Sequence, residues 1–397
     1  MRALVLLLLS ATASAQTAPA ARPAARGTAT AASFDRLAKD AASARQAGRL
    51  EDAVSLYGRA LVRRPGWTEG RWAMASLLYD LDRYADARTH FRRVVAERPQ
   101  DGTAAVLLAL CEFQLGDYAA TAASIKRAHE LGVPNPDVQS AALFHTALLL
   151  NHAGNPDGAF AILRGFAAKG VDKPAVIEAF GLSVLRMTAM PKELTPEQRQ
   201  MVVLAGRGGY HMARGRRTAV GRLALEELVS RYPSVPNVHY ALGSYIAPDD
   251  PDAAVEEFRR ELRASPQHVP AMLQMAMIEL RRGNAAAALP LAEEGVRLAP
   301  EVPASHLALG RALLETGENE RAVSALERSA ALAPDSADVQ FALGRAYQRA
   351  GRTADAERAR QEFLRLDRAA KASEAAAEAP PEPEEPGGAA RREGGSR

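Results

Sequence analysis

From about Phe34 to Arg368 the apolar positions recur three and four residues apart, as in Ala304, Leu307, Leu309 and Leu313 and again in Ala322, Val323, Leu326 and Ala330. That spacing lines one face of a helix, and the two-residue alternation of a strand is absent. Each apolar run is short and ends at a helix breaker. Gly283, Gly317 and Gly351 stand 34 residues apart, and Gly48 and Gly116 stand at twice that interval. Pro65 and Pro99 keep the same beat, as do Pro233, Pro266, Pro300 and Pro334, at steps of 33, 34 and 34 residues. Glycine permits the left-handed conformation that ends a helix, and proline cannot continue one. Each unit therefore reads as helix, tight turn, helix, stop, and the chain as an all-α array with this period.

The residues between the breakers resemble the tetratricopeptide repeat family, whose pattern runs W-x2-L-G-x2-Y, then A-x3-F, then P. Leu309-Gly310 and Leu343-Gly344-x2-Tyr347 match its first part; Ala53-x3-Tyr57, Ala87-x3-Phe91 and Ala254-x3-Phe258 match its second. The family's Trp is replaced in the matching units by Leu37, Arg71, Leu143, Met272, His306 or Gln340, so the array is divergent. The resemblance implies a TPR-type α-solenoid, a right-handed superhelix of antiparallel helix pairs. Units are expected to begin near Phe34, Thr68, Gly102, Ser140, Val202, Pro236, Val269, Pro303 and Ala337. This places N-terminal repeats at 34–170, an irregular helical insertion or degenerate repeat at 171–201, and C-terminal repeats at 202–368. Within the irregular part Met187 to Pro191 breaks a helix, and Thr195 with Pro196 offers a new helix start as cap and first-turn residue.

Met1-Arg2, the apolar run Ala3 to Leu9 and the small residues Ser10 to Gln16 have the three parts of a secretory signal peptide, with cleavage expected after Ala15. Its apolar run is shorter than the ~20 residues a membrane-spanning helix needs, so the mature chain is expected to carry no integral membrane segment and to be exported, periplasmic or secreted. Residues 16–33, rich in Ala, Pro and Thr, read as a disordered linker, and 369–397, rich in Ala, Glu, Pro and Gly, as a disordered tail.

Charge adds little. Fifty basic and 47 acidic residues in 397 leave a net +3, without the clustered excess of a nucleic-acid binder, so no nucleic-acid partner is expected. Cys111, the single cysteine, reads as a small buried apolar residue. The eight histidines include no H-E-x-x-H pair, and no nucleophile elbow or phosphate-cradling loop occurs, so no catalytic residue, metal site or cofactor is assigned and an enzyme is not expected. Gly206-Arg207-Gly208-Gly209 follows no strand and reads as a close helix contact or a weak helix.

The remaining candidate is the inner wall that the resemblance assigns to the first helix of each pair. Matched unit by unit, it carries Trp72, Tyr79, Phe113, Phe144, Tyr210 and Tyr240, then Arg311, Arg345 and Arg349. An aromatic strip with a cationic end suits an extended or helical peptide bearing a carboxylate. The expected function is a non-catalytic scaffold or adaptor of the cell envelope whose partners are other proteins or peptides. The competing expectation is a frame for an enzymatic or ligand-carrier site near 171–201.

Overall fold

The computed structural model describes the backbone of residues 25–215 and 217–378 and the side chains of 33–215 and 217–372. The expected signal peptide at 1–15 lies outside the described residues. Those residues form α-helices joined by short turns, with one 3₁₀ turn and no strand among them. The chain divides into two compact units, Met1–Tyr245 and Ile246–Arg397.

The first unit opens with four helix pairs: Ala25–Gln46 with Leu50–Arg63, Thr68–Asp80 with Tyr84–Glu97, Gly102–Gln114 with Tyr118–Leu131, and Pro136–His152 with Pro156–Ala168. Connections this short force neighbouring helices to run antiparallel. A residue with positive φ ends the first helix of each pair: Gly48 at 71°, Gly116 at 78° and Gly154 at 76°. The beat missing between Gly48 and Gly116 is kept by Asp82, at φ 59°. A short polar side chain tolerates this conformation well enough to hold the turn, and the Arg83 amide still closes it on the Leu78 carbonyl at 2.8 Å.

The small-then-large pairs pack as their spacing demands. Ala53 and Ala87 are fully buried where two helices meet, and Tyr57 and Phe91 fill the space beyond. In the second unit, with helices Pro251–Ala264, Val269–Arg281, Ala285–Leu298, Pro303–Glu315, Asn319–Leu332, Ala337–Arg349 and Thr353–Glu378, the same roles fall to Ala254 with Phe258 and Ala322 with Leu326. Gly283, Gly317 and Gly351 turn its last three pairs.

The irregular part of the first unit pairs Pro174–Val184 with Pro196–Ala213 across the 3₁₀ turn Pro191–Glu193, and Ala219–Arg231 and Val238–Ile246 follow. The repeat start expected near Val202 falls inside the helix that begins at Pro196, and the one expected from Ser140 starts at Pro136. In both cases the cap overrides the period. Thr195 accepts from the Gln198 amide at 3.2 Å while Gln198 accepts from the Thr195 amide at 3.0 Å, and Asn135 caps Asp137 and Val138.

Two boundaries shift outward. The helix Ala25–Gln46 begins inside the stretch read as a linker, and Thr353–Glu378 runs into the stretch read as a tail. Alanine-rich sequence propagates a helix once a packed turn has nucleated it, and Lys371 adds an ion pair to Asp367 one turn back at 2.8 Å.

Candidate functional site

Glycine joins Pro174–Val184 to Pro196–Ala213. A Cβ at Gly181 would stand 1.8 Å from the Val202 carbonyl oxygen, and one at Gly206 would stand 1.9 Å from that of Ile177. The helices Pro174–Val184 and Pro196–Ala213 therefore cross backbone against backbone, and the Gly206–Gly209 run is the close helix contact its sequence suggested. Gly208 lies against Leu225 and Gly209 against Val184, where side chains would collide. Polar side chains complete the attachment. Asn151 donates to the Ala179 carbonyl at 3.2 Å and accepts from Ser183 at 3.0 Å, and Asn237 donates to the Leu185 carbonyl at 3.0 Å.

Beside this helix the first unit opens a cavity of about 630 Å³. Its wall is mostly apolar, with Leu110, Leu143, Phe144, Ile162, Phe166 and Val176 prominent. Leu143 is 43% exposed, a large apolar side chain held at the surface of a hollow. The sequence carries a signal for this hollow. Leu143 stands where the related repeats place Trp, and a leucine leaves part of the space between Pro136–His152 and Pro156–Ala168 unfilled.

The polar groups of the wall differ in how far they are engaged. Arg199 meets Glu178 at 3.3 Å and donates to the Pro191 carbonyl at 2.6 Å, so that pair is spent on structure. Lys169 and Lys173 are exposed and form no ion pair, and Asp137 is the remaining carboxylate. His145 also belongs to the wall and is only 3% exposed. Its Nδ1 lies 2.7 Å from the Ala141 carbonyl oxygen, which can only accept, so Nδ1 carries the hydrogen and Nε2 is a bare acceptor. Nε2 has no hydrogen-bond partner. Burial pulls the His145 pKa down to about 4, which keeps the ring neutral.

The expected inner-wall residues separate into three groups. Tyr79 and Phe144 line the cavity. Trp72, Phe113 and Tyr210 pack instead: Trp72 edge-on to Phe91 at 6.0 Å, Phe113 edge-on to His145 at 4.6 Å, and Tyr210, itself buried, edge-on to Phe180 at 6.0 Å. The Tyr210 hydroxyl accepts from Arg214 at 3.1 Å. Tyr240 is half-buried on Val238–Ile246 and is absent from the cavity wall.

The arginines form the third group and lie in the second unit. Arg345 and Arg349 share Glu315, at 3.2 Å and 3.7 Å, and Arg311 rests against the Met277 sulfur at 3.9 Å. A guanidinium already facing a carboxylate is not a free fork for another. The cavity lysines, the exposed Leu143 and the orphan His145 Nε2 escaped the sequence reading. Pairing and burial depend on neighbours from other helices.

Cys111 is fully buried, and its thiol is pushed up to about 12, first by burial and then by the Glu112 charge, which leaves it inert. Glu112 is itself held by Ser124 at 2.7 Å and Arg92 at 3.7 Å. No described helix is long and apolar enough to cross a membrane.

Comparison with known proteins agrees with this architecture. The tetratricopeptide repeat family profile matches residues 73–136 and 273–337, one stretch in each unit. The two matched stretches carry divergent tetratricopeptide repeats. Among solved structures, MamA from Desulfovibrio magneticus RS-1, residue 41 to its end, is 22% identical, with 43% of this chain and 96% of that one covered at a TM-score of 0.38. A MamA RS-1 double mutant gives 21% identity over 43% and 96% of the two chains, with a TM-score of 0.38. No curated protein matches the chain significantly.

Proposed function

We propose that the chain is a non-catalytic scaffold of the cell envelope that holds partner proteins by a peptide segment seated in the cavity of the first unit. Tetratricopeptide arrays bury their own helices in one another and leave their remaining surface for partners. The observation that carries the proposal is the cavity itself, an apolar hollow with Leu143 at its surface and two unpaired lysines beside it. Apolar area of this kind supplies binding energy, and the lysines select for acidic neighbours. The competing reading, a carrier or enzymatic site framed by 171–201, points to the same place, because Val171, Lys173 and Pro174 form one side of the wall. Its acid–base groups are already engaged, Glu178 by Arg199 and the His145 Nδ1 by a carbonyl.

Export rests on the charged, apolar and small-residue segments of the first fifteen residues. Cell fractionation of the chain with and without 1–15 tests it. The leader-bearing form enters the envelope fraction and the trimmed form stays behind; equal distribution removes the envelope from the proposal. For the binding role, the tagged chain and a Leu143→Glu, Phe166→Asp variant are compared by quantitative capture from an envelope extract. The variant is expected to lose the proteins held by the native chain while keeping its helical circular dichroism. Retention of the same proteins would place the interaction on another surface.

A further inference from the structure

We propose that the outer face of the last helix pair is a self-association surface, on which a second copy of this chain packs about a two-fold axis with the helix Thr353–Glu378 antiparallel to its own copy. The inference concerns the second unit alone and is independent of the cavity in the first.

A helix pair inside the array is closed by the pair that follows it. Pro303–Glu315 packs against Ala337–Arg349, its Leu307 is half-buried against the core, and Leu326 of its partner helix is fully buried over Gly310. One repeat further on, 34 residues, the same positions are held by Phe341, Arg360 and Gly344. Phe341 is 51% exposed, Arg360 is exposed, and the space that Leu326 fills beside Gly310 is open beside Gly344. The result is a hollow of about 550 Å³ bordered by Phe341, Phe363 and Leu364, the two rings 5.5 Å apart and the leucine 39% exposed. A terminal repeat needs a polar outer face to stay soluble alone, so an apolar hollow there marks a contact surface. Residues 379–397 are Ala, Arg, Glu, Gly, Pro and Ser only, so that segment brings no large apolar side chain to the hollow.

The order of residues along the face identifies the occupant. Thr353, Glu357, Arg360 and Leu364 are spaced four, three and four residues apart, which sets them in one stripe of the helix, and all four border the hollow. Laid antiparallel on itself in a register centred between residues 358 and 359, the stripe brings Leu364 opposite Thr353 of the second copy and Arg360 opposite Glu357 of the second copy. Each contact then occurs twice, as a two-fold interface requires. Large meets small, and base meets acid. Both charges are open to such a partner: among the described residues neither forms an ion pair, and Glu357 accepts only from Gln361 on its own helix, at 3.1 Å. Arg345, the third charge beside the hollow, already faces Glu315 at 3.2 Å. A partner of one charge sign would satisfy one of the two open groups and oppose the other, whereas the same stripe reversed matches both.

The test is sedimentation velocity of the whole chain across the micromolar range, where the native chain is expected to form a dimer. Arg360→Glu and Glu357→Arg each set like charges across both symmetric contacts, and each should weaken the dimer by about tenfold or more. Mixed in equal amounts, the two variants should recover it, because the acidic stripe of one faces the basic stripe of the other. Leu364→Glu, a change at an exposed position, should leave a monomer with unchanged helical circular dichroism. A native chain that stays monomeric overturns the proposal, whatever other protein it binds there, and so does a dimer that persists in Leu364→Glu. Reversals that leave the dimer unchanged, or that weaken it without recovery on mixing, overturn the two-fold register.

Discussion

The two units are built from the same repeat and use it differently. In Ile246–Arg397 the beat holds through the last three pairs, and several basic residues are consumed by neighbouring carboxylates, Arg345 and Arg349 by Glu315, Arg321 by Glu293 and Arg328 by Glu301. In Met1–Tyr245 the beat is stretched after Pro174–Val184, where Arg186 keeps the positive-φ turn and a 3₁₀ turn leads into the longer helix Pro196–Ala213, and the change has physical consequences. Pro174–Val184 packs on Pro196–Ala213 through glycine crossings, and Asn151 and Asn237 hold its carbonyls. Next to it the chain leaves a hollow, two unpaired lysines and a histidine nitrogen without a donor. The first unit thus offers an apolar hollow flanked by unpaired cations, whereas Arg321, Arg328 and Arg345 of the second unit already face carboxylates.

That contrast is broken most directly at the glycines. Gly206→Ala forces a Cβ against the Ile177 carbonyl and should destabilise the first unit by about 3 kcal/mol or more, since backbone cannot move aside as a side chain can. Hydrogen exchange over 174–213 measures it, and unchanged protection there would mean that the crossing is looser than described. His145 comes next. Its folded pKa lies near 4 against an ordinary 6.5, so the unfolded chain binds a proton that the folded chain refuses. The stability this group confers is complete above pH 6.5, declines as the pH falls and levels off below about 4, a loss of up to about 3 kcal/mol. Denaturant unfolding of the native chain and of His145→Phe at neutral and at acid pH, on either side of the window between the two pKa values, reads the difference, which should shrink with acid. A constant difference would show that His145 titrates normally.

The second unit should answer the glycine test with the opposite sign. A Cβ at Gly344 would lie 3.7 Å from its nearest neighbour, ordinary contact inside a helix, so Gly344→Ala should raise stability by about 0.5–1 kcal/mol. Its melting temperature decides, and a fall would mean that the final pair is as tightly crossed as the irregular one. The smallest effect is expected at Glu315. Its pairs with Arg345 and Arg349 are exposed, so Glu315→Gln should shift urea unfolding by less than about 1 kcal/mol. The released arginines should also raise affinity for a Glu-rich peptide at low salt, an affinity that salt then removes. A gain that persists at high salt would point to a site other than these two side chains.

The sequence by itself determined the all-helical class, the repeat, most turns and the caps, because these depend on residues close in the chain. Glycine and proline act within one turn, Thr195 caps its own helix, and the pairing of Ala87 with Phe91 needs only a helical period. The glycine run at 206–209 was legible as a contact, and its opposite strip at Ile177, Val184 and Leu225 was not. Tertiary structure alone decided which side chains are free. Tyr210 and Phe144 were both read as wall residues, yet one is sealed against Phe180 and the other borders a cavity. Arg345 and Lys173 are both exposed cations, yet only the arginine meets a carboxylate, contributed from another helix thirty residues away. Availability for binding is set by what the rest of the fold brings within a few ångströms, and a linear pattern of apolar and polar positions does not contain that distance.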